Sequence, residues 1–348
     1  MKKAEFYNLM KAVPKAELHI HEEAVIGRGT IKKLYRNSSG KSMSKEELDE
    51  LFSYTDLAGF LAAFIKIQGM LTQASDLGYI LSDLQTYLKA NNIVYCESFF
   101  SPTTPLRKGF AYSEMMRILS AGIERIQSED GRTVRLLVDV SRSFGPENAQ
   151  RNLDFVLAEK NPYVIGIGLG GDEEKGPAKD YRQVFDNAVK AGLHVVAHAG
   201  ETCESWSMKD SIELLHAERI GHGISAAYDE AFMQELAAKR FPLEVCPTSN
   251  TFTRKYVTRL QDHPIRKLFD AGIPVTVNTD DPVFFKVSLI DEYWNLHKTL
   301  GFSMQEIKQL VLNGFNAAFI SGEQKQSYCD AVEKAWSSWF AAHPDVKA

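Results

Sequence analysis

Several features that would define other protein classes are missing from this sequence. No apolar run approaches the roughly 20 residues needed to span a bilayer, and the segment before Pro14 lacks the apolar core and cleavage site of a secretory signal. The 4 cysteines, Cys96, Cys203, Cys246 and Cys329, lie far apart and form no CxxC pair, which argues against a disulfide framework. A formal net charge of -5 gives no electrostatic reason to bind a nucleic-acid backbone. We therefore expect a reduced, cytoplasmic protein that binds neither membranes nor nucleic acid.

Short apolar runs alternate with helix-length amphipathic stretches along the chain. The eight apolar runs cover residues 16–21, 93–100, 134–140, 163–169, 194–198, 219–222, 242–246 and 274–278. Helical periodicity is clearest over 181–192, 229–239 and 262–272. No GxGxxG follows the first run, which disfavours a dinucleotide-binding fold. Eight strand–helix units in 348 residues predict one TIM-type (β/α)8 barrel domain over residues 1–348.

The stretch between the first two predicted strands is too long for a single crossover helix. We expect a helical insertion at about residues 30–90, lying over the mouth of the barrel. Leu57, Phe60, Leu61 and Phe64 form an apolar stripe at helical spacing. Such a stripe serves either helix packing or a hydrophobic lid over a substrate, so Phe60 and Phe64 are candidate substrate contacts.

Chemically reactive side chains follow the predicted strands at their carboxyl ends, where barrels of this type place their active sites. They are His19, His21, His198, Glu201, His222, Asp280 and Asp281. Residues two apart on a strand point to the same face, so His19 and His21 both aim into the barrel. His198 and Asp280 would complete a site for one zinc ion, which lowers the pKa of water toward about 7.

Other kinds of zinc and metal site do not fit the sequence. Zinc deaminases of the base-editing type need H-x-E followed by P-C-x-x-C, and the chain has no P-C-x-x-C. The HExxH motif of helix-borne zinc sites is also absent. A binuclear site would want a bridging lysine or carboxylate near the end of the fourth strand, but no lysine precedes Lys175 there. We therefore expect a single metal ion.

Taken together, the motifs resemble the adenosine deaminase family. PKAELHIH, GGDE, HAGE, RIGHG, LEVCPTSN and NTDDP occur in the family's order and approximate spacing and span most of the barrel. The combination of HAGE, GHG and NTDDP is highly specific. The resemblance implies a zinc-dependent aminohydrolase that replaces the 6-amino group of an adenine-type purine by oxygen and releases ammonia.

The resemblance also implies residue roles. The expected zinc ligands are His19, His21, His198 and Asp280, and the expected catalytic residues are Glu201, His222 and Asp280. Glu201 would protonate purine N1, and His222 would orient or deprotonate the attacking water. Asp281 would bind N7 and the backbone N–H of Gly171 would bind N3. The expected substrate contacts are His21, Glu23, Gly168, Gly171, Asp281, Phe60 and Phe64.

Two positions depart from the usual family pattern. Glu22-Glu23-Ala24 replaces the Leu-Asp-Gly that typically follows HxH, so Glu23 would meet the sugar with a longer side chain. Gly168 stands where an aspartate is usual, and we expect it to leave room for a larger 5′ substituent. These departures predict a modified sugar pocket with intact chemistry.

Four functions remain open at this point. The first is deamination of adenosine or a related nucleoside. The second is deamination of free adenine or of a 5′-modified nucleoside such as 5′-methylthioadenosine or aminodeoxyfutalosine. A non-catalytic ligand-binding barrel is more remote, since no expected zinc ligand and no acid is lost. A cyclic amidohydrolase is the other remote alternative. We expect a small purine as the substrate and a monomer or homodimer as the assembly.

Overall fold

A computed structural model of the chain describes residues 1–55 and 57–346, apart from the side chain of Leu57. Its core is one sheet of eight strands in sequential order. The strands are β1 Lys15–His21, β2 Ile93–Phe100, β3 Thr133–Asp139, β4 Val164–Leu169, β5 His194–Ala199, β6 Arg219–His222, β7 Leu243–Val245 and β8 Val275–Val277. Every neighbouring pair is parallel.

The first and last strands close the barrel through a short bridge. Ile20 pairs with Asp280 just beyond β8. Within this bridge, His21 N–H donates to the Asp280 carbonyl at 3.0 Å, and Asp280 N–H donates to the His19 carbonyl at 3.1 Å. The side-chain oxygen of Asn278 accepts from the N–H groups of Leu18 and His19 at 2.9 and 3.2 Å. The predicted (β/α)8 barrel is therefore confirmed.

Helices surround the barrel and follow its strands. They are α1 Lys3–Ala12, α2 Arg28–Ser39, α3 Lys45–Leu51, α4 Leu57–Gly69, α5 Leu77–Asn91, α6 Thr103–Arg107, α7 Tyr112–Asp130, α8 Pro146–Glu159, α9 Arg182–Lys190, α10 Ser205–Leu214, α11 Glu230–Ala238, α12 Pro247–Thr253, α13 Ile265–Asp270, α14 Pro282–Phe285, α15 Leu289–Leu300, α16 Met304–Ala317 and α17 Gly322–Ala342. No helix in the described part of the chain has the length and apolar character needed to cross a membrane.

Strands β7 and β8 are shorter than the apolar runs that predicted them. Cys246 leaves β7 because the next residue, Pro247, occupies the first turn of α12, where a missing backbone N–H costs nothing. Asn278 leaves β8 because its side chain, rather than its backbone, bonds to β1. Both departures bring polar residues to the strand ends, where the candidate site lies.

Helices α2 to α5 occupy the long connection between β1 and β2, where the helical insertion was expected. On α4, the Phe60 ring lies 5.6 Å from Phe284 and 4.9 Å from Phe285, and the Phe64 ring lies 5.4 Å from Phe284. Leu61 is 45% exposed and takes no part in this packing. The described part of the stripe packs α4 onto α14, so the structure favours the helix-packing interpretation. The Leu57 side chain lies outside the described residues.

Candidate active site

The reactive residues predicted from the sequence converge at the carboxyl ends of the strands. His19 and His21 lie at the end of β1, His198 lies in β5 and His222 ends β6. His222 and Asp280 both adopt left-handed backbone conformations, with φ of 62° and 63°. Non-glycine residues seldom take this conformation, and they concentrate at functional sites because the surrounding structure must hold the strain.

Four of these side chains form a compact buried cluster. One ligand-type atom from each of His19, His198, His222 and Asp280 lies within 4.8 Å of the others. His21 adjoins the cluster, because its Nε2 is 3.1 Å from Asp280 Oδ1 and 3.3 Å from His198 Nε2. The structure thus brings all four predicted ligands together and adds His222, which the sequence analysis had placed beside the metal rather than on it.

The donor set fits a metal ion. His19 Nδ1 bonds to the Glu244 carboxylate at 2.8 Å, which leaves its Nε2 buried and without a hydrogen-bond partner among the described residues. A histidine that binds metal through one ring nitrogen usually donates the other N–H to such a carboxylate. Asp280 keeps one oxygen, Oδ2, bonded to Ser249 Oγ at 2.6 Å, while its Oδ1 faces the histidines.

The residues that support His19 lie outside the set of site residues predicted from the sequence. Glu244, on β7, accepts from Arg219 Nε at 2.6 Å as well as bonding to His19, and Arg219 also pairs with Glu97 on β2. All four groups are buried, and the guanidinium of Arg219 pairs with both carboxylates. Glu244 and Arg219 stand in the LEVCPTSN and RIGHG motifs, and the charge of Glu244 inside an apolar run is the signal that could have drawn attention to it.

Glu173 was also missed, although it is the last residue of the quoted GGDE motif. Its carboxylate accepts hydrogen bonds from the backbone N–H groups of Gly200, Glu201, Thr202 and Cys203 at 2.6, 3.2, 2.8 and 3.0 Å. This contact fixes the turn that carries Glu201. Burial, Asp280 and Glu173 raise the pKa of Glu201 well above its ordinary value, so Glu201 retains a proton that it can donate.

The adjacent Asp280 and Asp281 have opposite electrostatic environments. Burial alone would raise the pKa of Asp280, but its contacts with His19 and His21 outweigh burial and hold that pKa well below the ordinary value. Burial and the neighbouring Asp280 raise the pKa of Asp281 well above its ordinary value. Asp280 is therefore a carboxylate suited to a metal, and Asp281 is a carboxylic acid suited to donating a hydrogen bond.

Gly168 does not leave open space, so that expectation is wrong. A Cβ at this position would lie 2.5 Å from Cε1 of Phe99. The Phe99 ring packs against the histidines, with centroid distances of 4.9 Å to His19 and 5.2 Å to both His21 and His198. Glycine at 168 therefore accommodates an aromatic ring of the barrel interior, and a larger 5′ group gains nothing from it.

Glu23 lies in a short 3-10 turn directly after β1, and its side chain is buried. It accepts a hydrogen bond from Ser101 N–H at 2.8 Å, while Ser101 Oγ donates to Asp139 at 2.7 Å. Burial raises the pKa of Glu23 to about 7. Two carboxyl groups therefore meet at Ser101, of which only Glu23 was predicted from the sequence. Glu22 bonds to Ser98 instead.

Gly171 follows β4 with a φ of 100°, which is accessible to glycine at little cost. A Cβ there would lie 2.4 Å from Ser143 Oγ, so a side chain would collide with the neighbouring turn. Gly171 is exposed, and its N–H donates to no other residue in the described ranges. The N–H group is therefore free to meet an acceptor on a bound molecule.

A parallel eight-stranded barrel with a buried histidine–aspartate cluster and carboxylic acids at its strand ends defines a metal-dependent hydrolase. Residues 14–335 match the family model described as adenosine deaminase. The chain belongs to the adenosine deaminase family, whose members are hydrolases that act on C–N bonds of cyclic amidines.

Individual relatives cover nearly the whole chain. The aminodeoxyfutalosine deaminase of Streptomyces coelicolor is 30% identical over 342 residues, which are 97% of this chain and 88% of that protein. An adenine deaminase of Rhizobium rhizogenes is 35% identical over 272 residues, covering 78% of this chain and 84% of the relative. The crystal structure of adenine deaminase from Arthrobacter aurescens has a TM-score of 0.88 at 29% identity, covering 94% of this chain and 99% of that one.

Proposed function

We propose that this protein is a zinc-dependent purine aminohydrolase that converts the 6-amino group of an adenine-type compound to a 6-oxo group and releases ammonia. The observation that carries the proposal is the pair of carboxyl groups, Glu201 and Asp281, with raised pKa values beside the histidine–aspartate cluster. An adenine ring has acceptor nitrogens at N1 and N7, and each needs a proton donor from the protein.

His19, His21, His198 and Asp280 would hold one zinc ion. Neutral imidazole and carboxylate groups suit zinc, and the buried, unpartnered Nε2 of His19 supports this set. When bound, the ion supplies Lewis acidity that lowers the pKa of water to about 7.

The protein groups direct the reaction at C6. Attack at C6 breaks the aromaticity of the ring and places charge on N1, so Glu201 stabilises the transition state by transferring its proton there. Asp281 donates a hydrogen bond to N7, and the N–H of Gly171 donates to N3. These contacts orient the purine, and loss of the amine as ammonia restores the aromatic ring.

For the substrate, we propose an adenine nucleoside modified at the 5′ position, such as aminodeoxyfutalosine. Glu23 and Asp139, which meet at Ser101, offer carboxyl oxygens to hydroxyl groups on the N9 side. A relative covering 97% of this chain is an aminodeoxyfutalosine deaminase. Free adenine is the second candidate, because an adenine deaminase shares 35% identity and Glu23 could also accept from the N9–H of adenine.

Substrate profiling tests this proposal. Zinc-loaded protein is assayed spectroscopically with adenosine, adenine, 5′-methylthioadenosine and aminodeoxyfutalosine under identical conditions. We expect a 5′-modified nucleoside to exceed adenosine by about tenfold or more in kcat/KM, and one additional contact to the 5′ group, worth about 1–3 kcal/mol, is enough for that difference. Preference for adenine would support the second candidate, and inactivity on all purines would reject deamination of this class.

A matched pair of variants tests the N9 contact. Glu23→Gln should lower kcat/KM for nucleosides that carry hydroxyl groups, because the amide removes one acceptor oxygen. The exposed Glu174→Gln, whose carboxylate pairs with Lys255 at the surface, should not change it. We also propose that the enzyme works in the cytoplasm as a monomer or homodimer, which light scattering of the purified protein would resolve.

A further inference from the structure

His222 is joined to a chain of buried hydrogen bonds on the side away from the metal ligands. Ile265 N–H donates to His263 Nδ1 at 3.1 Å. His263 Nε2 lies 3.2 Å from Asn250 Oδ1, and Asn250 Nδ2 lies 3.1 Å from His222 Nδ1. Pro264 holds the preceding His263 in an extended backbone conformation, which turns its ring back toward this amide. The three side chains are almost completely buried.

The direction of this chain follows from its backbone end. A backbone N–H only donates, so His263 Nδ1 is an acceptor and the ring proton sits on Nε2. His263 Nε2–H then donates to Asn250 Oδ1, which turns the Asn250 amide nitrogen toward His222. His222 Nδ1 must therefore accept, and the proton of neutral His222 sits on Nε2. The opposite direction would place two donors face to face at His263 Nδ1.

His19 has the opposite arrangement. Its Nδ1 faces the Glu244 carboxylate, an acceptor, so Nδ1 carries the proton and Nε2 keeps a lone pair toward Asp280, 3.6 Å away. A nitrogen that carries a proton has no lone pair for a metal. His222 Nε2, which lies 3.5 Å from Glu201 Oε2, therefore presents a hydrogen-bond donor to the site.

We propose that Asn250 and His263 are positioning residues that hold His222 in its Nε2–H form, which excludes His222 from the metal ligands and makes it a hydrogen-bond donor in the reaction. Of the two roles that the family resemblance left open for His222, this assigns orientation of the attacking water and not its deprotonation. Only this catalytic consequence rests on the proposed function. The position of the proton on His222 does not depend on it.

Nitrogen-15 NMR of the zinc-loaded protein, labelled at its 9 histidines, measures the proton position directly. The spectrum of His222→Asn assigns the His222 signals by their loss. We expect a protonated Nε2 and an unprotonated Nδ1 for His222, and the reverse for His19. A His222 ring with its proton on Nδ1, or with Nε2 shifted as a zinc-bound nitrogen, would overturn the proposal.

Variants of His263 distinguish its role as a hydrogen-bond donor from its contribution to packing. His263→Leu fills the buried site but cannot donate, so we expect mixed proton positions on His222 and a kcat lower by about tenfold or more with KM nearly unchanged. His263→Gln places an amide N–H near the same point and should restore both the spectrum and kcat. The exposed His216→Gln serves as the control and should alter neither.

A second variant covers the case in which His263→Leu fails to fold. Asn250→Asp keeps the size of the side chain but offers acceptor oxygens to both histidines, which should move the His222 proton to Nδ1 and lower kcat. Unchanged spectra and kcat in Asn250→Asp and His263→Leu would reject the positioning role. Inactivity of the wild-type enzyme on purines, with Nε2–H still observed, would reject the proposed function alone.

Discussion

At the scale of single residues, the candidate site separates similar groups by their surroundings. Glu201, Asp280 and Asp281 are all buried carboxyl groups, yet the histidines lower the pKa of Asp280 while burial and neighbouring acids raise the pKa of the other two. When the surroundings shift the pKa values of neighbouring carboxyl groups in opposite directions, one site can contain both an ionised ligand and a protonated acid. The roles of these residues therefore follow from contacts that differ within a few ångströms.

The first prediction concerns Glu201→Gln. Glutamine keeps the shape and a hydrogen-bond donor but cannot transfer a proton to N1, so kcat should fall by about 10²-fold or more. Substrate binding should fall far less. Because the pKa of Glu201 is raised, its proton is present at neutral pH, and wild-type kcat should decline only as pH rises through that pKa. Steady-state kinetics across pH measures both effects, and Glu174→Gln is the control. A near-normal kcat in Glu201→Gln would show that Glu201 is not the acid.

The second prediction concerns Gly168→Ala. The added methyl group would lie 2.5 Å from Phe99 Cε1, and Phe99 is held against three histidines. Overpacking of this kind costs about 1–3 kcal/mol of unfolding free energy. Gly29→Ala is the control, since nothing lies within 4 Å of a Cβ there. Denaturant unfolding compares the two. A stable Gly168→Ala protein with improved use of 5′-modified nucleosides would restore the open-pocket interpretation.

At the scale of elements, α16 packs beside the closure of the barrel. Asn313 Nδ2 donates to the carbonyl of Val275 on β8 at 2.9 Å, and a Cβ on Gly314 would lie 3.4 Å from the carbonyl of Ala16 on β1. Glycine at 314 thus permits close approach of α16 to the strand that carries two of the histidines. The helix therefore packs on β8 and β1, beside the strand ends that carry the site.

The third prediction tests the start of this helix. Ser303 and Glu306 form a capping box, in which Glu306 N–H donates to Ser303 Oγ at 3.3 Å and Ser303 N–H donates to Glu306 at 2.7 Å. Ser303→Ala should lower the unfolding free energy by about 1 kcal/mol and leave KM unchanged. Thermal or denaturant unfolding measures the loss, with the exposed Ser128→Ala as control. Equal stability of the two variants would contradict a capping role.

The Glu306 carboxylate adds a dependence on pH. Its hydrogen bond from Arg266 lowers its pKa to about 2. Because the pKa is lower in the folded state, the ionised carboxylate stabilises the fold at pH values above the ordinary glutamate pKa. This contribution is lost as the pH falls toward 2. The difference in stability between wild type and Glu306→Gln should therefore shrink over the same acidic range.

At the scale of the whole molecule, the proposed ligands come from opposite parts of the barrel. His19 and His21 end β1, His198 lies on β5, and Asp280 follows β8 where the barrel closes. A metal bound by all of them would tie together strands that are far apart in the sequence. Binding to the folded state alone stabilises it by mass action.

The fourth prediction follows from this linkage. Protein purified without chelator should contain about one equivalent of zinc per chain by elemental analysis. Removal of the metal should abolish turnover and lower Tm, and added zinc at a hundredfold excess over Kd should restore about 2.7 kcal/mol. His19→Ala should show no rise in Tm on adding zinc, whereas the surface variant His216→Gln should respond like wild type. Two equivalents, both required for activity, would contradict the single-metal site.

The barrel and the region of its site are predictable from the amino-acid sequence alone. Hydrophobic periodicity and turn residues are local, so they marked eight strands whose observed ends differ by only a few residues. The ligand motifs sit at strand ends, and parallel strands bring those ends together in any barrel of this type. Family membership followed from the same motifs and is confirmed over residues 14–335.

The surroundings of each reactive group become visible only in the folded chain. Gly168 faces Phe99 rather than open space, and Glu244 holds His19 although 225 positions separate them along the chain. Likewise, Asn250 and His222 are 28 residues apart, so no local sequence pattern predicts the hydrogen bond that orients the His222 ring. Burial and hydrogen-bond partners set protonation, and both depend on packing between distant segments, so no local pattern carries them.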